Sequence, residues 1–122
     1  MSVSPGELAS TLIRRHRVAL DQQRARRDAL ERAFGPAWAR ACQEARVRPR
    51  RAWLIGSLAW GGFGAASDVD VVAEGLTPEQ EVALWSALQG ALAHAVDLLR
   101  FEDLDAAFQA RVRDEGRPLD VA

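Results

Sequence analysis

The chain has 122 residues, of which 48% are apolar and 27% charged, so we expect one globular domain rather than two. No apolar run could span a bilayer and no secretory signal opens the chain, which favours a cytoplasmic protein without membrane contact. Cys42 is the sole cysteine, which excludes a disulfide scaffold within one chain. The net charge of −1 combines a balance of +7 in residues 1–51 with −8 in residues 52–122.

The first third of the chain has the pattern of helices. Ser4-Pro5 is typical of a helix start, and apolar residues then recur at helical spacing with arginines between them. We expect a long amphipathic helix over about 6–33 that ends at Gly35-Pro36, and a shorter helix over about 37–46. A basic connector follows at 48–51.

Strands and helices alternate in the rest of the chain. The pattern predicts strands at 52–55, 68–73 and 95–101, helices at 77–92 and 104–115, and a short edge strand at 118–121. The helix at 77–92 has Val82, Trp85, Leu88 and Leu92 as its expected core stripe. The alternation indicates an α/β fold. We expect a single domain over 1–122, with a helical extension at 1–50 and a core at 51–122.

Two carboxylates mark the second predicted strand. Asp68 and Asp70 are two positions apart, so both side chains project from the same face, about 6–7 Å apart. Two acids on a buried sheet repel each other unless a cation neutralises them, and Mg²⁺ prefers such hard oxygen ligands. Alone, however, an Asp-x-Asp pair is more often a pair of acids on an exposed strand edge.

A glycine-serine turn precedes these acids. Gly56-Ser57 follows an apolar strand directly, and a strand-to-helix corner of this kind leaves backbone N–H groups free for a phosphate. Glycine lets the backbone approach the ligand, and the Ser57 hydroxyl can donate to a phosphate oxygen. Together with the two acids, this turn indicates a nucleotide site.

A third acid lies in the third predicted strand. Asp97 interrupts the apolar run of residues 96–99, and a buried carboxylate is rare without a partner. If the second and third strands are neighbours, Asp97 meets Asp68 and Asp70. Three carboxylates suit two metal ions that clamp a triphosphate and activate an attacking hydroxyl.

These motifs carry a resemblance to a known family. Gly56-Ser57, ten further residues and Asp68-x-Asp70 resemble the signature of the DNA polymerase beta-like nucleotidyltransferases. With Asp97, the match over about 52–121 is similar to the minimal nucleotidyltransferases. The resemblance implies a nucleotidyltransferase fold, with a small mixed sheet flanked by helices. It further implies two Mg²⁺ ions and transfer of a nucleoside monophosphate, AMP from ATP or another NTP.

The resemblance also implies site residues and a partner. By carry-over, Gly56 and Ser57 bind the nucleotide, while Asp68, Asp70 and Asp97 bind metal and catalyse. Many members are antitoxins paired with a HEPN-domain ribonuclease, which they bind and silence by adding AMP to a tyrosine. The expected activity is thus protein adenylylation. The alternative is a non-catalytic antitoxin that neutralises a HEPN ribonuclease by binding alone.

One position departs from the family pattern. Trp60 stands where minimal members often carry an arginine near the triphosphate, and an indole cannot pair with phosphate. Either Trp60 packs in the fold, which we favour, or it stacks on a base. The departure either weakens nucleotide binding, or Arg51 or Arg100 supplies the missing charge.

The basic N-terminal helix has no motif of its own. Its arginines could bind RNA phosphates or an acidic protein surface, or simply form a solvated face: Arg14, Arg15, Arg17, Arg24, Arg26 and Arg27. No aromatic residue lies between them, so base stacking is unsupported. A small-molecule antibiotic-type transferase ranks lower, because 122 residues leave little room for a second substrate domain.

Overall fold

A computed structural model of the chain describes residues 4–64 and 67–121. The helices are α1 (Pro5–Ala45), α2 (Gly56–Trp60), α3 (Pro78–Leu92) and α4 (Ala106–Glu115). The strands are β1 (Arg51–Ile55), β2 (Val69–Glu74), β3 (Val96–Arg100) and β4 (Arg117–Pro118), with a 3-10 turn at Phe101–Asp103. None of the helices in these ranges combines the length and apolarity needed to cross a membrane.

The strands form one mixed sheet in the order β3-β2-β1-β4. β1 is antiparallel to both β2 and β4, whereas β2 and β3 are parallel and joined through α3. The second and third strands are therefore neighbours, which is the condition set for Asp97 to meet the other acids, and the expected mixed sheet flanked by helices is confirmed. The final edge strand is shorter than predicted and begins one residue earlier.

Apolar residues cover both faces of the sheet. On one face, α1 and α3 pack against Leu54, Val69 and Val71 in the main core. On the other, a smaller cluster surrounds Trp53 and Val112. Because both faces of the sheet are covered, most residues of β1 and β2 are buried, and β1 is a short apolar run in the sequence.

α1 is one continuous helix of 41 residues, so the predicted break at Gly35-Pro36 is wrong. Proline lacks the N–H of an internal helical hydrogen bond and normally ends a helix. Here the residues on both sides of Pro36 are buried in the core, including Phe34 and Trp38, whose rings stack at 6.5 Å. Tertiary packing outweighs the local cost and holds both segments in one helix.

α3 buries a different stripe from the one predicted. Leu88 and Leu92 are buried as expected, but Val82 is 62% exposed and Trp85 39%, while Leu84 is fully buried. The Trp85 Nε1 donates to the Val96 carbonyl oxygen at 2.7 Å, which holds the ring at the open edge of β3. The helical spacing of apolar residues in α3 did not distinguish the face that packs against α1 from the face that lies toward the edge of β3.

Candidate nucleotide and metal site

The register of β2 and β3 brings two of the predicted acids together. Asp70 and Asp97 are direct partners across these parallel strands, whose backbones lie about 4.8 Å apart. Asp68 immediately precedes β2 and is exposed, while Val69 and Val71 face the core. The predicted alternation is thus confirmed for Val69, Asp70 and Val71, the strand begins one residue later than predicted, and all three acids lie at one end of the sheet.

The glycine-serine turn lies against the same acids. Gly56 directly follows β1, whose last residue, Ile55, is the register partner of Asp70 in β2. The backbone of Gly56 has φ +71°. A Cβ at Gly56 would overlap Asp70 Oδ2 and come within 3.0 Å of Asp70 Cγ. Only glycine therefore allows the turn and the carboxylate to approach this closely.

α2 begins at this turn with unused hydrogen-bonding groups. Its N-cap is Ile55, which provides no side-chain cap, and the Ser57 hydroxyl has no partner among the described residues. Ser57 and Gly56 are both partly exposed. Free backbone N–H groups and a free hydroxyl beside a carboxylate are the groups that a phosphate-metal complex uses.

The three acids repel one another electrostatically. Burial raises the pKa of Asp70, and the neighbouring charges of Asp97 and Asp68 raise it further. A bound cation would relieve this repulsion, which is the physical condition expected of a metal-binding carboxylate.

The donor chemistry fits Mg²⁺, but the protein does not enclose it. Among the described residues, no group of three or more His, Cys, Asp or Glu side chains is arranged to hold a metal ion. Mg²⁺ is usually held by one or two carboxylates, with waters and substrate phosphates as its other ligands. Asp70 and Asp97 meet that requirement as a pair, with Asp68 beside them.

Asp97 is exposed rather than buried, which corrects the expectation that an acid in an apolar run must be buried. β3 is the edge strand of the sheet, and Asp97 points away from the core while Val96 and Leu98 point into it. Its side chain borders a cavity of about 180 Å³ that is also lined by Glu81, Val82 and Trp85. Solvent and an acceptor group therefore have access to this carboxylate.

Trp60 packs, as favoured from the sequence. Its Nε1 donates to the Glu115 carbonyl oxygen at 2.8 Å, and the Arg111 guanidinium lies 4.3 Å from the ring centroid. These contacts tie α2 to α4. Trp60 therefore supports the helix that carries Ser57 and does not face the acids as a base-stacking group.

Arg51 and Arg100 do not replace the missing arginine. Arg51 starts β1, at the opposite end from Gly56, and donates to the buried Glu74 carboxylate at 2.9 Å and 3.3 Å. Arg100 ends β3 and donates to the Leu76 carbonyl oxygen. Both cations belong to the far end of the sheet, so this expectation is wrong.

His94 has a positioning role that the sequence did not indicate. Its Nε2 lies 2.9 Å from the Ser67 carbonyl oxygen and therefore donates to it, and its ring lies 5.8 Å from that of Phe63. The histidine thus fastens the segment before Asp68 to the turn before Asp97. Only the three-dimensional structure shows this, because the two residues are 27 positions apart.

Solved structures similar to this fold include toxin–antitoxin proteins and a candidate minimal nucleotidyltransferase. A crystal structure of a toxin–antitoxin with AMP-PNP matches with a TM-score of 0.60 at 20% identity, covering 72% of this chain and 73% of that chain. A toxin–antitoxin MntA–HpeT mutant, with two aspartates two positions apart replaced by glutamate, matches at 0.56 and 17% identity, covering 69% and 70%. A candidate minimal nucleotidyltransferase matches at 0.56 and 28% identity, covering 79% of this chain and 91% of that chain.

Sequence comparison adds no family assignment, since no protein-family description and no curated protein matches the chain. The structural likeness nevertheless agrees with the motifs. The chain therefore has the fold of the minimal nucleotidyltransferases, the family that its glycine-serine turn and aspartates resemble.

Proposed function

We propose that the protein is a magnesium-dependent nucleotidyltransferase that transfers AMP from ATP to a hydroxyl group of a partner toxin, and so acts as an antitoxin. The observation that carries this proposal is the meeting of Asp70 with Asp97 across β2 and β3, beside a glycine whose missing side chain leaves room for the Asp70 carboxylate. Similar structures that are toxin–antitoxins, one of them with AMP-PNP, support the nucleotide and the partner. The HEPN class of the toxin and its tyrosine acceptor rest on the family resemblance.

The residues have distinct parts in the proposed reaction. Gly56 and Ser57 bind the phosphates through N–H and O–H donors, while Asp68, Asp70 and Asp97 hold Mg²⁺. When bound, two Mg²⁺ ions would neutralise the triphosphate and lower the pKa of the attacking hydroxyl. The exposed Asp97 is accessible to an acceptor, and we assign it as the base that takes the hydroxyl proton.

The chemistry balances as a single displacement. The acceptor oxygen bonds to the α-phosphorus of ATP while the bond from that phosphorus to the oxygen bridging toward the β-phosphate breaks. Pyrophosphate leaves with the electron pair of the broken bond, and the hydroxyl proton passes to Asp97 or through it to water. The products are AMP-acceptor and pyrophosphate.

A transfer assay tests the proposal directly. The wild-type protein, the product of the adjacent reading frame, Mg²⁺ and α-labelled ATP are incubated, and label on the partner is measured. We expect transfer that EDTA abolishes and that Asp68→Asn with Asp70→Asn lowers more than a hundredfold. Asp114→Asn, which changes an exposed carboxylate on α4, is the matched control. Absence of transfer, or equal rates in all variants, would contradict the proposal.

A second candidate is neutralisation of the toxin by binding alone. It is favoured by Trp60, which stands where minimal members often carry an arginine near the triphosphate and instead donates its Nε1 hydrogen to the Glu115 carbonyl oxygen. Under this hypothesis the doubly substituted Asp68→Asn, Asp70→Asn protein still protects cells from the co-expressed partner. Loss of protection in that variant, with complex formation intact, would favour catalysis instead.

A further inference from the structure

The N-terminal part of α1 projects from the rest of the molecule. We call residues 5–29 the arm. Every buried residue of α1 lies after the arm, from Leu30 to Ala41. Five of the large hydrophobic residues that are exposed belong to the arm: Leu8, Leu12, Ile13, Val18 and Leu20, with 39–59% of their surface accessible. At 1.5 Å per residue, the arm extends roughly 37 Å.

The arm leaves the core at the end of the sheet that carries the candidate site. Along α1, the Trp38 Nε1 bonds to the Asp120 carbonyl oxygen, while Glu31 pairs with Arg117 at 3.1 Å. Arg117 is in turn the register partner of Leu54, two residues before Gly56. Glu31 therefore lies level with the site end of β1, and residues before it extend past that end.

The apolar stripe of the arm continues the stripe that is buried in the core. Leu12 precedes Leu30 by 18 residues, about five helical turns, and Leu20 precedes Phe34 by 14, about 3.9 turns. Both therefore face the side on which the core packs. Val18 precedes Phe34 by about 4.4 turns and faces the opposite side.

Arginines border this stripe on both sides. Arg15 and Arg26 follow Leu8 by seven and 18 residues, and Arg17 and Arg24 follow Ile13 and Leu20 by four, so they flank the apolar residues. Among the acids of the arm, Glu7 lies on the face with Val18, whereas Asp21 and Asp28 follow Arg17 and Arg24 by four residues and lie farther from the stripe than these arginines.

The cations of the arm have no ion-pair partner within residues 4–64 and 67–121. At the junction with the core, the Arg27 Nε is buried and has no hydrogen-bond partner in this part of the chain. A buried guanidinium N–H without an acceptor is energetically costly.

The geometry and charge select the occupant of this stripe. A flat membrane cannot reach it, because the core stands on the same side of the helix. A second arm would place arginines against arginines, which is repulsive. RNA would neutralise the arginines but would leave the leucines without apolar contact. An acidic protein surface with an apolar groove complements both features, as in helix-in-groove recognition.

We propose that the arm is the docking element for the acceptor protein. It binds an apolar groove that is bordered by aspartate and glutamate, and it holds the acceptor beside Gly56, Asp70 and Asp97. This inference rests on the proposed function, to which it adds how the acceptor is recognised. The arm does not take part in the bond-forming step.

Paired substitutions on opposite faces of the arm test this. Leu12→Glu places a charge in the stripe, and Val18→Glu places the same charge on the opposite face of the same helix, at closely similar exposure. Arg24→Glu and Arg14→Glu form a second pair, on the border and on the far side. Helicity by circular dichroism and the Kd for AMP-PNP with Mg²⁺ are measured first, and both should match the wild type.

The transfer kinetics then use the product of the adjacent reading frame as acceptor. We expect Leu12→Glu and Arg24→Glu to raise the KM for this protein at least tenfold and to change kcat less than twofold. Val18→Glu and Arg14→Glu should stay within twofold of the wild type in both constants. Equal effects of the two members of a pair would overturn the proposal. So would binding of a 20-nucleotide RNA that Arg24→Glu abolishes and Leu12→Glu leaves intact.

A binding measurement separates failure of the proposed function from failure of the docking proposal. If the wild type transfers no AMP, the same variants are compared by calorimetric binding to the same partner. Binding weakened tenfold by Leu12→Glu but not by Val18→Glu supports the arm without catalysis. No binding by the wild type, or equal binding by both variants, overturns it.

Discussion

Gly56 is the residue on which the geometry of the site depends most directly. Gly56→Ala adds a Cβ where Asp70 Oδ2 lies, so the carboxylate must move. Gly62→Ala has a comparable positive φ, +83°, but meets no atom within 4 Å among the described residues. Each variant should lose about 1–2 kcal/mol of stability from its backbone conformation. Only Gly56→Ala should also lower the transfer rate, by more than tenfold, in the same assay. Equal rates in both would contradict this account of the turn.

The charged Asp70 side chain should lower the stability of the metal-free protein. Because burial and the charges of Asp97 and Asp68 raise the pKa of its carboxyl, the charged form destabilises the fold at neutral pH. Asp70→Asn should therefore raise the Tm at pH 7 in EDTA, whereas exposed Asp114→Asn should not. The gain should shrink as the pH falls into the acid range, where Asp70 takes up a proton. A lower Tm for Asp70→Asn would contradict the prediction that the charge of Asp70 destabilises the metal-free fold.

Sequence reasoning located these residues better than their surroundings. The sequence predicted that the three acids meet if the second and third strands are neighbours, and the pairing of β2 with β3 fulfils that condition. The exposure of Asp97 was not predicted, because it follows from the position of β3 at the edge of the sheet, which the sequence of a single strand does not indicate. The His94 contact with Ser67 was missed for the same reason: it depends on long-range packing.

Among the elements, α1 contradicts its sequence most clearly. Pro36 cannot donate the hydrogen bond that residue 36 would make to the Arg32 carbonyl, yet the helix continues. Pro36→Ala should therefore stabilise the protein by about 1–2 kcal/mol. This is the net effect of a restored helical hydrogen bond and of a more flexible, hence more favourable, unfolded chain. Gly35→Ala, with open space around its Cβ, should add about 1 kcal/mol. Urea unfolding measures both, and a destabilised Pro36→Ala would indicate that packing around Phe34 and Trp38 requires a proline-induced bend.

Other elements were predicted from clear local signals. Ser4 and Thr77 form capping boxes at the starts of α1 and α3, each with the expected proline near the first turn. The strand β1 was recognisable as a short apolar run, and β2 by the alternation of valine with aspartate. The stripe of α3 was not, because Val82 and Trp85 have the helical spacing of core residues but face the edge of the sheet.

For the whole molecule, stability should differ sharply between the arm and the core. The arm contributes no buried residue, whereas the second half of α1 is packed in the main core. Isolated helix without tertiary contacts is marginal in water. Amide hydrogens of residues 9–26 should therefore exchange at least ~100-fold faster than those of residues 34–45, as measured by mass spectrometry. Equal protection of the two segments would show that the arm has an intramolecular partner.

The capping box at Ser4 gives the arm a defined length. Its start is fixed by the Glu7 backbone and side chain, and its end is fixed where Leu30 enters the core. The arm is therefore a molecular ruler, whose reach depends on residue number and whose facing depends on helical phase. Seven inserted residues would lengthen it by roughly 10 Å and nearly preserve the direction of the stripe, whereas two would turn the stripe by about 200°. If acceptor binding survives the seven-residue insertion but is lost with the two-residue insertion, the direction in which the stripe points matters more than the length of the arm.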